Sequence, residues 1–343
     1  MRDNKVVLAF IGNGKSTNRY HMPFILNRPE KFIVKKIYSR NHARDKWAEV
    51  EGVEYTSDLD AILKDDEIDV VILSLPHNVH YSYAKQVIEA GKNCLVEKPF
   101  METKAEAEEI FNLAKEKGVM VQAYQNRRFD GDFLTVQKVI ESGVLGDLLE
   151  LEMHFDYYRP EIPESVHEFH PAFSYLYGHG CHTLDQVISY FGKPDSIHYD
   201  VRQLLGEGRM NDYFDLDLYY GVLKVSVKSS YFRIKSRPSF IVYGKKGMFV
   251  KELKDKQETH LKLFYLPDHS DFGVDTPEEW GTLTYYDDNG KYHEEKVETV
   301  TGSYSYYYDA LYETIAHGKE QLVKPWQTLL LMDLLETGVK NLK

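Results

Sequence analysis

The stretch VVLAFIGNGKST runs from Val6 to Thr17. Six apolar residues follow one another without alternation, as in a strand buried on both faces of a parallel sheet. Gly12 and Gly14 come at once after it. A helix with Tyr20, Phe24 and Ile25 on one side is predicted beyond them. Strand, glycine turn and helix are the elements of a dinucleotide-binding fingerprint, with Thr17 in place of its third glycine. Gly12 permits a tight turn. Gly14 lets backbone approach a pyrophosphate at the helix N-terminus, where Lys15 and Ser16 also lie. A triphosphate P-loop would need a glycine five residues before Gly14, and Ala9 stands there instead. An ordinary turn is the bland alternative.

Outward from this stretch the chain alternates strand and helix. FIVKKIY (32–38), a short strand at 53–55, DVVILSLP (69–76), NCLVEKP (93–99) and VMVQAYQ (119–125) are predicted strands. A helix through Trp47, a helix face at Ala84, Val87 and Ile88, and a helix ending at Gly118 lie between them. Ser57/Asp60 and Thr103/Glu106 have capping-box spacing. Such alternation predicts right-handed crossovers and a doubly wound parallel sheet.

Past residue 125 the pattern changes. Residues 132–142 read as a helix. LLELEMHFDYY (148–158) alternates, with Leu149, Leu151, Met153, Phe155 and Tyr157 on one face. FDLDLYYGVLKVSVKSSYF (214–232), FIVYG (240–244) and HLKLFYL (260–266) read as further strands. Helices are predicted at about 309–317 and 328–342. The expectation is α/β: a Rossmann domain over 1–125, then an α+β domain over 126–343 with a large open, mostly antiparallel sheet. The closing helices could pack back on the first domain.

Composition sets the outer bounds. A net charge of -12 argues against a nucleic-acid partner. No apolar run spans a bilayer, and Val6–Ile11 lacks a signal-peptide cleavage site. Two cysteines are too few for a disulfide framework. The expected compartment is the cytoplasm.

Two positions carry the chemistry. NAD selectivity would place a carboxylate at the end of the second strand. Ser39 and Arg40 stand there, and they suit a 2'-phosphate, so NADP is favoured over NAD; a solvated loop arginine is the alternative. Lys98 lies in EKP at the end of the fifth strand, where ligands of open α/β sheets bind. Pro99 biases it towards extended backbone, and Glu97 can hold or tune its ammonium.

The chain resembles the Gfo/Idh/MocA family of NAD(P)-dependent oxidoreductases over nearly its whole length. The resemblance rests on Gly12-x-Gly14, LPHNVH (75–80), AGKNCLVEKPF (90–100), YQNRRFD (124–130) and GHGCHTLDQVISYFG (178–192). It is closest to the subgroup with GKST in the loop and HFDYYRP (154–160) in the second domain. The resemblance implies a sugar, polyol or related carbonyl substrate, and a homodimer or homotetramer built through the open sheet. It implies Lys98 at the substrate oxygen and His182 on the second-domain helix. It places Pro76, Asn78, His80, Glu97 and Asn126 near the cofactor, and Arg127, Tyr158, Arg159 and His179 near the substrate. Arg127 and Arg128 could equally be ion-pair partners. Many members carry Asp-x-x-x-His here. In this chain the aspartate position is Gly178, so Asp185, one turn after His182, is the alternative acid. Lys98 and His182 alone could also move the proton.

His167, His170, His179 and His182, with Cys181, could be read as a zinc site. Their spacing matches no trusted ligand pattern, and no metal is expected. Two other functions stay open: an NAD-dependent glycosidase of the same family, with no net redox, and a cofactor-sensing regulator. Retention of Lys98 and His182 argues against the regulator.

Overall fold

β1 (Val6–Ile11) is buried at every position, as its unbroken apolar run requires of a central strand. It pairs in parallel with β2 (Phe32–Tyr38) on one side and β4 (Val70–Leu73) on the other. β3 (Glu54–Thr56), β5 (Asn93–Val96) and β6 (Val121–Ala123) complete a parallel sheet of order β3-β2-β1-β4-β5-β6. That is the doubly wound order, with its switch point between β1 and β4. The computed structural model describes residues 1–41, 46–160, 170–206 and 208–342.

The helices of this sheet follow local chemistry. A wide π-type turn over Ser16–His21 leads into α1 (Met22–Leu26), which buries Phe24 and Ile25. α2 (Asp60–Leu63) is short and starts at Leu59 without a side-chain cap, so the Ser57/Asp60 spacing does not form a capping box. α3 (His80–Glu89) buries Ala84, Val87 and Ile88. α4 (Lys104–Lys117) has the full Thr103/Glu106 capping box and stops at Gly118 with φ 69°, a left-handed end that favours glycine. The predicted helix before Trp47 falls on residues 42–45, outside the described residues. Residues 46–50 are not helical.

The chain divides into two compact units. One comprises Met1–Asn126, Thr259–Phe272 and Tyr304–Met332; the other comprises Arg127–Glu258, Gly273–Ser303 and Asp333–Lys343. Within the first, α8 (Ser305–His317) packs on the parallel sheet, and Tyr307 Oη donates to the Ala123 carbonyl at 2.7 Å. α9 (Pro325–Val339) closes the chain.

The second unit holds α5 (Gly131–Glu141), α6 (Cys181–Phe191) and an eight-stranded sheet. Its strands are β7 (Leu148–His154), β8 (Ser196–Arg202), β9 (Tyr213–Tyr220), β10 (Leu223–Ser230), β11 (Phe240–Gly244), β12 (Gly247–Lys251), β13 (Gly281–Tyr286) and β14 (Tyr292–Val297). Their order is β14-β13-β12-β11-β7-β10-β9-β8, antiparallel throughout except for β7 beside β10. Leu151 and Met153 point into the core, while Leu149 of the same face is exposed near the strand's start. On the opposite face Glu150 pairs with Lys224, and Glu152 with Lys228. HLKLFYL is not a strand. α7 (Gln257–Lys262) covers its first half, and Phe264 turns the chain with φ 57°. Three alternating apolar residues had no neighbouring strand to pair with, so the local hydrogen bonds of a helix won. Among the described residues no helix is long and apolar enough to cross a membrane.

Candidate active site

In the first unit the candidate residues gather along the C-terminal ends of β1, β2, β4 and β5. β1 runs into Gly12, whose amide donates to the Tyr38 carbonyl at 2.8 Å. Gly12 has φ 112°, and a Cβ there would sit 2.2 Å from the Ser74 carbonyl oxygen. Both facts demand glycine. Gly14 has no such constraint: its φ is ordinary, and a Cβ would meet nothing within 4 Å. The fold itself does not need this glycine, whereas a phosphate group lying against the backbone would. Thr17, in the third-glycine position, donates Oγ1 to the Gly12 carbonyl at 2.6 Å and closes the loop on itself. Lys15 is exposed and Ser16 half-buried. Together these features form a cradle that fits a dinucleotide pyrophosphate.

At the end of β2, the Ser39 amide donates to the Thr56 carbonyl at 3.0 Å, and Arg40 is exposed. Pro76 and Asn78 are exposed at the end of β4. His80 is buried instead. It is 0% exposed, with Nδ1 3.0 Å from the Pro99 carbonyl oxygen and Nε2 2.9 Å from that of Leu75. It ties the end of β4 to the turn after β5. Burial lowers its pKa, against the pull of those carbonyls.

Glu97 is a node. It is buried, and its Oε1 accepts from Ser16 Oγ at 2.8 Å and lies 3.0 Å from His21 Nε2. Oε2 accepts from the Lys98 amide at 3.0 Å. Burial alone would raise its pKa. The hydrogen bond and charge of His21, the Lys98 charge and the Ser16 hydroxyl outweigh burial and hold it at about 2. The carboxylate therefore faces the glycine loop instead of the Lys98 ammonium. Lys98 is half-buried, and its Nζ has no hydrogen-bond or ion-pair partner among the described residues. His21 went unnoticed in the sequence. The one available signal was a polar residue directly ahead of the largely apolar stretch Met22–Leu26. Asn126, 7% exposed, ends the first segment of this unit beyond β6.

The second unit carries the other candidates. His182 is 7% exposed in the first turn of α6. Asp185, 2% exposed, accepts from Arg128 Nε at 2.7 Å and Nη2 at 2.8 Å. Such a bidentate pair occupies the carboxylate that a proton relay would use. Arg127 pairs with Asp130 at 3.2 Å and with Glu258, and it lies over the Phe155 ring. His179 sits among Phe155, Tyr157, Tyr175 and Tyr231, with its ring centroid 4.5 Å from that of Tyr175. Arg159 stacks on Tyr157 at 4.4 Å, while Tyr158 is exposed beside it. Lys254 rests on the same aromatic wall, 4.0 Å from the Phe155 centroid, and burial pulls its pKa down to about 8.

His167 lies outside the described residues. His170 packs edge-on against Phe173, and Cys181 Sγ is turned to the Gly178 carbonyl. Among the described residues no three His, Cys, Asp or Glu side chains converge as metal ligands.

Comparison with known proteins bears on the two domains. Residues 6–125 match the model of an oxidoreductase family's NAD-binding Rossmann fold. Residues 137–342 match the model of that family's C-terminal alpha/beta domain. The chain is 45% identical over 334 residues to the uncharacterized oxidoreductase YhhX of Escherichia coli, covering 97% of this chain and 96% of that one. It is 30% identical over 339 residues to the scyllo-inositol 2-dehydrogenase (NADP(+)) IolW of Bacillus subtilis, covering 98% and 94%. A crystal structure of probable oxidoreductase yhhX superposes with a TM-score of 0.93 at 44% identity, covering 98% and 97%. That of an oxidoreductase from Bacillus cereus gives 0.90 at 42%, covering 98% and 96%.

Proposed function

Since the chain belongs to the Gfo/Idh/MocA oxidoreductase family, we propose that it exchanges a hydride between NADP and a CH–OH or C=O carbon of a sugar or polyol. One observation carries the reading. Lys98 Nζ is left uncommitted at the C-terminal end of β5, because Glu97 beside it is spent on Ser16 of the glycine loop and on His21.

When bound, the dinucleotide supplies the hydride acceptor. Gly12, Gly14 and Ser16 hold its pyrophosphate, Pro76 and Asn78 flank it, and Ser39 and Arg40 take the 2'-phosphate. NADP dependence of the inositol dehydrogenase relative supports that preference. Lys98 stabilises the substrate oxygen as the carbinol O–H loses its proton. His182 is the second proton-handling group. Asp185 acts indirectly, by fixing Arg128 under α6. His179, Tyr158 and Arg159 are assigned to the substrate, and Arg127 orders the same region through its carboxylate pairs. The charged outer face of the second unit's sheet is the surface we assign to a homo-oligomer. The assigned setting is cytoplasmic.

A panel of inositols, sugars and ketoses tests this, with nicotinamide absorbance read for both cofactors. Net reduction or oxidation with a polyhydroxylated substrate is expected. Release of a sugar from a glycoside with no net absorbance change would replace the reading with glycosidase chemistry.

A further inference from the structure

Behind Glu97 lies a buried Tyr–His–Glu series that no part of the proposed reaction uses. His21 is 0% exposed. Its Nε2 is 3.0 Å from Glu97 Oε1, and its Nδ1 is 2.5 Å from Tyr308 Oη in α8. Its ring lies 4.2 Å from that of Tyr124, and Phe10 of β1 meets it edge-on. A carboxylate can only accept, so His21 Nε2 carries the hydrogen shared with Glu97, while Nδ1 and the Tyr308 hydroxyl share the second hydrogen bond. On its other sides Glu97 receives the Ser16 hydroxyl and the Lys98 amide. One carboxylate thus joins the loop that cradles the cofactor to the turn that carries the reactive lysine. The residues joined lie 81 positions apart in the chain. Sequence-local forces cannot set that register.

We propose that His21, backed by Tyr308, is a positioning residue: it orients Glu97 so that the glycine loop and the Lys98 turn are held in one register. The proposal rests on the functional reading above, in which the loop binds NADP and Lys98 meets substrate. It makes cofactor affinity and turnover depend on a side chain that touches neither cofactor nor substrate. An unanchored carboxylate could rotate towards the Lys98 ammonium and neutralise it. The buried bond to an ionised acceptor is of the class whose loss is felt strongly.

The test uses His21→Phe, His21→Gln, Tyr308→Phe, Glu97→Ala and the pair His21→Phe/Glu97→Ala in the full chain. NADPH affinity is read by fluorescence titration, kcat by steady-state assay and folding by thermal melting. His21→Phe is expected to weaken NADPH binding and lower kcat, with kcat/KM falling about 10- to 100-fold. His21→Gln keeps an N–H for Glu97 and is expected to stay within a few-fold of wild type. Tyr308→Phe should move both constants in the direction of His21→Phe, by less. The paired variant should be no worse than Glu97→Ala alone. If His21→Phe does not fold, the glutamine rescue and Tyr308→Phe still decide. Wild-type affinity and turnover in His21→Phe, effects that multiply with Glu97→Ala, or equal loss in His21→Gln and His21→Phe at unchanged melting temperature would each overturn the proposal. Normal turnover in Lys98→Met would instead sink the functional reading, while the NADPH titration continues to report on His21. Absence of NADPH binding to the wild-type protein would overturn both.

Discussion

Gly12 and Gly14 share a loop but answer different needs. Gly12 has a left-handed φ and lies against the Ser74 carbonyl, whereas Gly14 has neither constraint. Gly12→Ala is therefore expected to lower the melting temperature and NADPH affinity together, by strain of about 1–3 kcal/mol. Gly14→Ala is expected to melt like wild type and bind NADPH more weakly. Equal melting temperatures for the two variants would contradict this division. In the proposed reaction Lys98 is the residue on which chemistry turns. Proton assistance of its kind is worth about 10²–10⁴-fold, so Lys98→Met should lose that much kcat with NADPH affinity retained. Glu97 adds a pH signature. Its carboxyl is held at about 2, against an ordinary value of 4.5. A depressed folded pKa gives stability that is present above the unfolded value and lost as pH falls through the folded one. Wild type should thus lose roughly 3 kcal/mol from this group between about pH 4.5 and pH 2, and Glu97→Gln should show a flatter acid limb in melts over that range.

Elements were legible where one local force dominated. β1 and β4 announced themselves as short unbroken apolar runs, β5 as the apolar triplet CLV after Asn93, and Gly118 marked the end of α4, where the left-handed conformation favours glycine. β14 did not: five of its six residues, YHEEK, are polar or amphipathic, and most are exposed. A strand with no buried face has no alternation to read. HLKLFYL misled in the opposite way, since alternation without a partner strand is no strand. The end of β2 is where an element's boundary sets chemistry. Ser39 and Arg40 stand where a ribose-binding carboxylate would otherwise be. Arg40→Ala is expected to lower the ratio of kcat/KM for NADPH over NADH at least several-fold, chiefly through KM. A wild-type preference for NADH, unchanged in Arg40→Ala, would contradict it.

At the scale of the whole chain, the change from βα alternation to long two-sided strands near residue 125 was visible in the sequence. That Tyr304–Met332 joins the first unit was visible only as a possibility, because the contacts that do it are single long-range bonds such as Tyr307 to Ala123 and His21 to Tyr308. The same limit hid the real arrangement around Glu97. Motif residues could be named one by one, but the partners that orient them come from 76 and 287 positions away. The central claim is net hydride exchange, and isotope transfer reads it most directly. Polyols from the active part of the panel, deuterated at the carbinol carbon, are turned over with NADP, and the released cofactor is examined by NMR. One deuterium at C4 of the reduced nicotinamide per product carbonyl is the predicted result. Turnover with no deuterium in the released cofactor, or no transfer from any polyol while NADP is bound, would contradict it.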